Sequence, residues 1–401
     1  MTMSRFRLTA LLCTSEIVGM AGFATFPVLV PTFLSEWSLT NTGAGWICGI
    51  YYAGYLLSVP VLVSLTDRVD PRHILLLGTA LAGLSALGFG LFAGGFWTAL
   101  VFRFLGGVGL AGTYMPGLKV VSDHTEGPLQ SRYVAFYTAC FSIGASASYF
   151  VSGEVAAFLG WRWAFGLSSF GSLAAGILIA VGVPISRPNL SQTNIRTLLD
   201  FRPVLTARPA MAYIIAYGAH VWELFSMRSW IVAFLAFSQS LQPSGASIWS
   251  ITQLAAIINL LGLPASLGGN EFAVRFDRRR VISTVMMVSI IGSCLVGFAA
   301  PCPAPIVIGL CLFYGITVMA DSAALTAGAV AAAPIGFRGA TLAVHSTVGF
   351  AAGFLGPLAI GAVLDSLNGT KLAWGVAFVT MGLGAAVGPV ALWLFGRPRD
   401  T

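Results

Sequence analysis

Twelve apolar stretches, each near the length needed to cross a lipid bilayer, divide the 401 residues and leave little chain for anything else. A hydrocarbon core about 30 Å thick takes about 20 residues of helix. Stretches of that order run at 8–33, 42–64, 73–94, 96–119, 131–156, 162–183, 210–237, 245–267, 281–300, 304–331, 339–364 and 372–395. In hydrocarbon every backbone N–H and C=O has to be satisfied inside the segment or by closing a barrel. The alternation of a barrel strand is missing. The expectation is therefore an all-α polytopic membrane protein of twelve transmembrane helices. Composition fits, since 57% of residues are hydrophobic and 9% are charged, against roughly a quarter charged in a soluble domain.

The few charges write an orientation. Of the 21 Lys and Arg residues, Arg103 and Arg228 lie inside spans and Arg162 and Lys371 fall in loops on one side, while the remaining seventeen fall on the other. Basic loops face the cytoplasm, so both termini are expected there, in a cell inner or plasma membrane. Arg5 and Arg7 precede the first span without an Ala-x-Ala cleavage pattern, which predicts an uncleaved first helix. The net charge of +7 is explained by an anionic leaflet and does not require nucleic acid. Six cysteines at no ligand-like spacing predict neither disulfides nor zinc. No cofactor is expected.

The longest polar interval splits the chain into an N-terminal six-helix bundle (1–183), a cytoplasmic linker (184–209) and a C-terminal six-helix bundle (210–401). No loop is large enough for a nucleotide-binding fold, which disfavours an ATP-driven pump. The halves also echo each other. Asp67-Arg68-Val69-Asp70-Pro71-Arg72 follows the second span, and Asp277-Arg278-Arg279-Arg280 follows the eighth, 210 residues later. An Asp with arginines at a helix end can bind the terminus of a neighbouring span, so Asp67, Arg68, Arg72, Asp277 and Arg278 form a candidate cytoplasmic latch. The alternative is a solvated basic loop.

With twelve spans in six plus six, this repeated loop, and Arg103-Phe104-Leu105-Gly106-Gly107-Val108-Gly109 in span 4, the chain resembles the major facilitator superfamily over essentially its whole length. Gly160-Trp161-Arg162 opening span 6 and Gly356-Pro357 through Asp365 closing span 11 are similar to common features of that family. The resemblance implies two pseudo-symmetric six-helix bundles rocking around a central site, driven by a solute or ion gradient. Two departures stand out. Asp70-Pro71 occupies the place where the family often has Gly and a basic residue, which loosens the expected latch. Span 5, from Phe141 to Ser148, lacks the Gly-Pro motif of the drug/proton antiporters, which favours uptake over drug efflux.

A charge kept at mid-bilayer calls for a partner or a purpose. This chain keeps Glu16, Arg103, Glu223, Arg228 and Asp321, with His220 and His345. Arg103 and Arg228 both fall about 10 Å from the outer face, one per half. A guanidinium suits carboxylate or phosphate, so both are candidate anion contacts. For Arg103 the resemblance also implies bracing of span 1 or a place on the coupling path, and for Arg228 a buried pair with Glu223 or outward snorkelling stays open. In span 7, Tyr213, His220 and Met227 stack within about 20° of one another, with Glu223 and Arg228 on either side. This wide polar face is expected to meet the cavity, adding Tyr213, His220 and Met227 to the candidate substrate contacts. Glu16, Glu223, Asp321 and His345 are candidate proton-coupling groups, with structural pairing as the alternative. Asp321 and His345 fall at comparable depths and could pair with each other.

Gly107 through Gly112 satisfies Gly-x-Gly-x-x-Gly but sits inside an apolar helix with no preceding strand, so helix packing explains it and a dinucleotide site does not. Tyr51, Tyr52, Tyr55, Tyr137 and Trp249 could wall a cavity or simply pack. No metal site is expected from a single His220/Met227 pair, and no catalytic motif occurs, so the chain is not expected to be an enzyme. The expected function is secondary active transport of a small organic solute, anionic or zwitterionic rather than cationic, by a monomer in a lipid bilayer with protons as the coupling ion, in the uptake direction. The alternatives are a proton-coupled exporter of drugs or metabolites and a scaffold that kept the fold but lost transport.

Overall fold

The computed structural model describes residues 4–66, 68–125, 128–185, 201–242 and 250–395. Asp67 of the candidate latch and Trp249 of the candidate aromatic wall lie outside the described residues. The first half contains α1 (Arg5–Gly19), α2 (Thr25–Glu36), α3 (Asn41–Leu65), α4 (Pro71–Phe92), α5 (Phe96–Asp123), α6 (Pro128–Leu159) and α7 (Trp161–Gly182). A short α8 (Arg202–Thr206) precedes α9 (Arg208–Ser240), α10 (Ile251–Arg275), α11 (Arg278–Phe298), α12 (Ala304–Met319), α13 (Ser322–Ala331), α14 (Arg338–Ser366) and α15 (Lys371–Phe395). Together they supply twelve segments long and apolar enough to cross a membrane. The chain is a multi-pass membrane protein, all-α as its hydropathy predicts.

Local chemistry starts several of these helices. Asp70 accepts from the Arg72 N–H at 2.9 Å, and Pro71 takes the first helical position, where its missing N–H costs nothing. Asp277 caps α11 through the Arg280 N–H at 2.8 Å. Ser250 and Gln253 form a reciprocal capping box on α10.

Two spans predicted as single helices are broken. The first is interrupted between α1 and α2 by a tight turn at Met20–Gly22. Neighbouring hydroxyls satisfy the backbone this frees: Ser148 Oγ accepts from the Ala24 N–H at 3.0 Å and donates to the Ala21 carbonyl at 2.7 Å. Thr25 Oγ1 adds contacts to Ser152 and Ser168 at 2.8 and 3.1 Å. The tenth span breaks between α12 and α13, and there the Ala323 N–H donates to Ser266 Oγ of α10 at 3.3 Å. Broken helices survive at membrane depth when side chains re-satisfy their backbone in this way.

The described residues fall into two compact units, one within Met1–Leu39 and Ile50–Thr193, the other within Thr40–Gly49 and Asn194–Thr401. Internal packing repeats between them. In the first unit α1 packs on α6 and α7, and α4 on α7; in the second, α9 packs on α14 and α15, and α11 on α15. These are equivalent spans of the two halves. The glycines of the span 4 motif serve close approach within the first unit: a Cβ at Gly107 would overlap the Tyr51 carbonyl, one at Gly109 the Ala82 backbone, and one at Gly112 would crowd Gly78.

Candidate functional site

In the first unit the centre of interest is Glu16, buried near the end of α1, just before the break in the span. Tyr137 Oη of α6 donates to its Oε2 at 3.2 Å. Its Oε1 meets no hydrogen-bond donor among the described residues. Beside the carboxylate lies a cavity of about 30 Å³ whose polar lining is Ser15, Glu16, Tyr51, Thr79, Thr113, Tyr137 and Ser172. A space of that size holds a water or two. It is far too small for an organic solute. Tyr51 links this cavity to Arg103, because its ring carries the guanidinium at 4.2 Å, with Phe26 at 5.8 Å.

The second unit organises its polar groups differently. α9 is the most enclosed span, with 83% of its apolar window buried in the fold against 56% or less in every other. Its wide polar face therefore meets protein, and neighbouring helices receive it group by group. His220 Nδ1 lies 2.8 Å from Asp321 Oδ1. Both atoms are buried, at ion-pair distance but off the line of a hydrogen bond. Glu223 Oε1 accepts from Ser289 Oγ of α11 at 3.0 Å. Arg228 Nε donates to Asn259 Oδ1 of α10 at 2.9 Å, and Asn259 is itself held through the Ala255 carbonyl at 2.8 Å. Met227 is buried, and the half-buried Tyr213 packs its ring against Gly328 of α13.

His345 of α14 does not receive Asp321. Its Nε2 lies 3.3 Å from Thr326 Oγ1, and Tyr217 stacks on its ring at 3.6 Å between centroids. The expected pairing rested on comparable depth, which does not say which neighbour a side chain faces, and at the break before α13 Asp321 meets α9 instead.

Of the candidate latch residues, Arg72 donates to the Ala180 carbonyl in the last turn of α7, and Arg278 Nη1 donates to the Ala324 carbonyl of α13 at 3.3 Å. Each arginine thus ties its helix to a neighbour within its own unit. Asp277 is spent on the cap of its own helix.

Ser289, Asn259, Ser266, Thr326 and Tyr217 were not singled out by sequence, although each is a polar group inside an apolar span. Asn41 and Thr42, at the start of α3, were likewise not singled out. Asp365, which closes α14, accepts from the Asn41 N–H and Nδ2 at 2.9 and 2.8 Å, and from the Thr42 N–H and Oγ1 at 2.7 and 2.6 Å. A carboxylate from one helix thereby caps the N-terminus of another, where the dipole favours negative charge.

Among curated proteins, the chain is 23% identical over 218 residues to a probable sphingolipid transporter, spinster homolog 1, of Arabidopsis thaliana, covering 50% of this chain and 44% of that one. It is 27% identical over 162 residues to the niacin transporter NiaP of Acinetobacter baylyi, covering 40% and 36%. The chain thus spans less than half the length of these relatives. Among solved structures, a bacterial homolog of the human lysosomal transporter Spinster, inward-facing and unoccupied, superposes with a TM-score of 0.81 over 99% of both chains at 13% identity. Likeness at that identity concerns the fold alone. The family model described as Major Facilitator Superfamily matches residues 11–357, and the chain belongs to that superfamily.

Proposed function

We propose that this protein is a secondary active transporter that takes up a small organic anion or zwitterion by alternating access, coupled to protons, as a monomer in the cell inner membrane with both termini cytoplasmic. The carrying observation is Glu16: a buried carboxylate with one oxygen on Tyr137, the other without a donor, beside a cavity of about 30 Å³. A small ion or proton arriving with water fits that space and an organic solute does not. Because burial favours the neutral acid and an opening to water favours the carboxylate, Glu16 is suited to take a proton on one side of the membrane and release it on the other. Arg103 stands one aromatic ring away and supplies the positive charge that an anion would meet. Arg228 supplies the same in the second unit, with His220, Tyr213 and Met227 on its helix. Glu223 and His345 are held by Ser289 and Thr326, and in this proposal they respond to the proton cycle rather than start it. The sequence basis for uptake is the missing Gly-Pro motif in span 5.

A relative is named for niacin, a small aromatic acid that is anionic at neutral pH, which makes nicotinate the first probe. Proteoliposomes would be given labelled nicotinate, then a panel of other monocarboxylates and zwitterions, with and without an inward proton gradient. Gradient-dependent accumulation of at least one solute, lost in Glu16→Gln, is the expected result. No gradient-dependent accumulation of any of them would refute the proposal.

A further inference from the structure

We propose that the His220–Asp321 pair is a second proton-exchange site, housed entirely in the second unit and separate from Glu16. It deepens the proton-coupled reading above, and it stands or falls on its own measurement.

The local fold sets Asp321 aside for this pairing. It occupies the N-cap position of α13, where a carboxylate ordinarily accepts from the N–H groups of the first turn. Here its side chain makes no such cap. Ser266 of α10 accepts from the Ala323 N–H instead, and the carboxylate is left to face His220 at 2.8 Å. Gly269, on the same helix as Ser266, lets α10 come this close, because a Cβ there would overlap the Ala320 carbonyl at the break. The half-helix start, the substitute cap and the side chain turned aside are three features with one outcome.

The partner is a histidine, the side chain whose charge comes and goes near neutral pH. Arginine or lysine would fix the pair as charged throughout. With one proton the pair is neutral overall, as imidazolium and carboxylate or as two uncharged groups. Without it, a carboxylate stands in the protein interior beside a neutral ring.

Among the described residues, His220 is the ion-pair partner of the Asp321 carboxylate. On α9, Glu223 follows His220 by three residues and brings a second acid, held by Ser289. Tyr217 lies 5.9 Å from the His220 ring, Tyr213 stands a turn earlier, and Arg228 gives its Nε to Asn259. α12 contributes Tyr314 and α14 contributes His345, while Arg278 of α11 gives its Nη1 to the Ala324 carbonyl. α10 has Glu271 and Arg275 just beyond Gly269, both exposed and bound to each other at 2.9 Å. α15 has only Lys371, at its start. Losing the proton is therefore tied to admitting water to the site, which is how a carrier links proton exchange to a change of conformation.

The test is pH-difference infrared spectroscopy of the full chain in lipid, following the C=O band that a carboxyl shows only when protonated. Wild type is expected to give at least two titrating, deuterium-sensitive bands, of which Glu16→Gln removes one and Asp321→Asn another. His220→Gln should move the titration midpoint of the Asp321 band and leave the Glu16 band in place. Glu223→Gln identifies that acid's own contribution. If Asp321→Asn does not fold, Asp321→Glu serves, and its band must shift in frequency. A spectrum unchanged by substitution at Asp321, or an Asp321 band indifferent to His220→Gln, overturns the proposal. Loss of the Glu16 assignment with the Asp321 band intact would instead refute Glu16 as the coupling acid and leave this proposal standing.

Discussion

The two units treat their buried polar groups in opposite ways. In the first, Glu16 has a single donor and a water-sized cavity, and Arg103 is held by aromatic faces. In the second, three charged or titratable groups on one helix are each matched to a partner on a different neighbour: His220 to Asp321, Glu223 to Ser289, Arg228 to Asn259. The same fold thus holds an acid with one donor beside a cavity in one half and a row of side chains paired helix to helix in the other, where His220 and Asp321 meet at ion-pair distance without a hydrogen bond. An acid whose second oxygen meets no donor, beside a water-sized cavity, can exchange its proton with little rearrangement, whereas in the second half exchange at His220–Asp321 requires the packing around it to open, so substitutions there also cost stability.

That contrast predicts that substitutions at Glu16 change transport with little cost in stability while those in the second half change both, and substitutions can break it. The largest effect is expected from Glu16→Gln. Gradient-driven uptake should fall by about tenfold or more, a barrier change of about 1.4 kcal/mol or above, while thermal unfolding barely moves because the amide still accepts from Tyr137. A large loss of unfolding temperature instead would make Glu16 a structural residue and erase the contrast. Next comes Asp321→Ala, which leaves His220 without its counter-ion; removing one member of a buried pair costs about 3–5 kcal/mol, readable as a lowered unfolding temperature in detergent. Arg228→Ala should cost about 1–3 kcal/mol by stranding the buried Asn259 oxygen, and Arg228→Ala combined with Asn259→Leu should recover part of that. Gly269→Ala pushes a methyl into the backbone at the α12–α13 break, and overpacking of this kind costs about 1–3 kcal/mol. The smallest is Ser266→Ala, about 1 kcal/mol for a lost cap. If it proves silent, the Ala323 N–H has another acceptor and the account of the break needs revision.

The fold was legible because its governing signals are long-range in sequence and simple in physics. Span length follows from bilayer thickness, and the glycines of span 4 fall where helices touch. The two breaks were harder to see. Whether a hydrophobic stretch bends depends on a distant Ser148 or Ser266 being at hand to satisfy the freed backbone. Partners failed for a related reason: depth along a span is read from counting, which does not say which neighbour a side chain faces. Asp321 was therefore matched in depth to His345 and is found against His220. The capping of α3 by Asp365 lay beyond sequence because it joins residues 324 positions apart in the chain.

The most direct test of proton coupling through Glu16 uses proteoliposomes loaded with a pH-sensitive dye and challenged with nicotinate and the monocarboxylate and zwitterion panel, recording internal pH. The account predicts solute-induced acidification inside for at least one compound with the wild-type protein and its absence with Glu16→Gln, while Asp365→Asn retains it. Solute entry without any proton movement, or a Glu16→Gln protein that acidifies as fast as wild type, would contradict it.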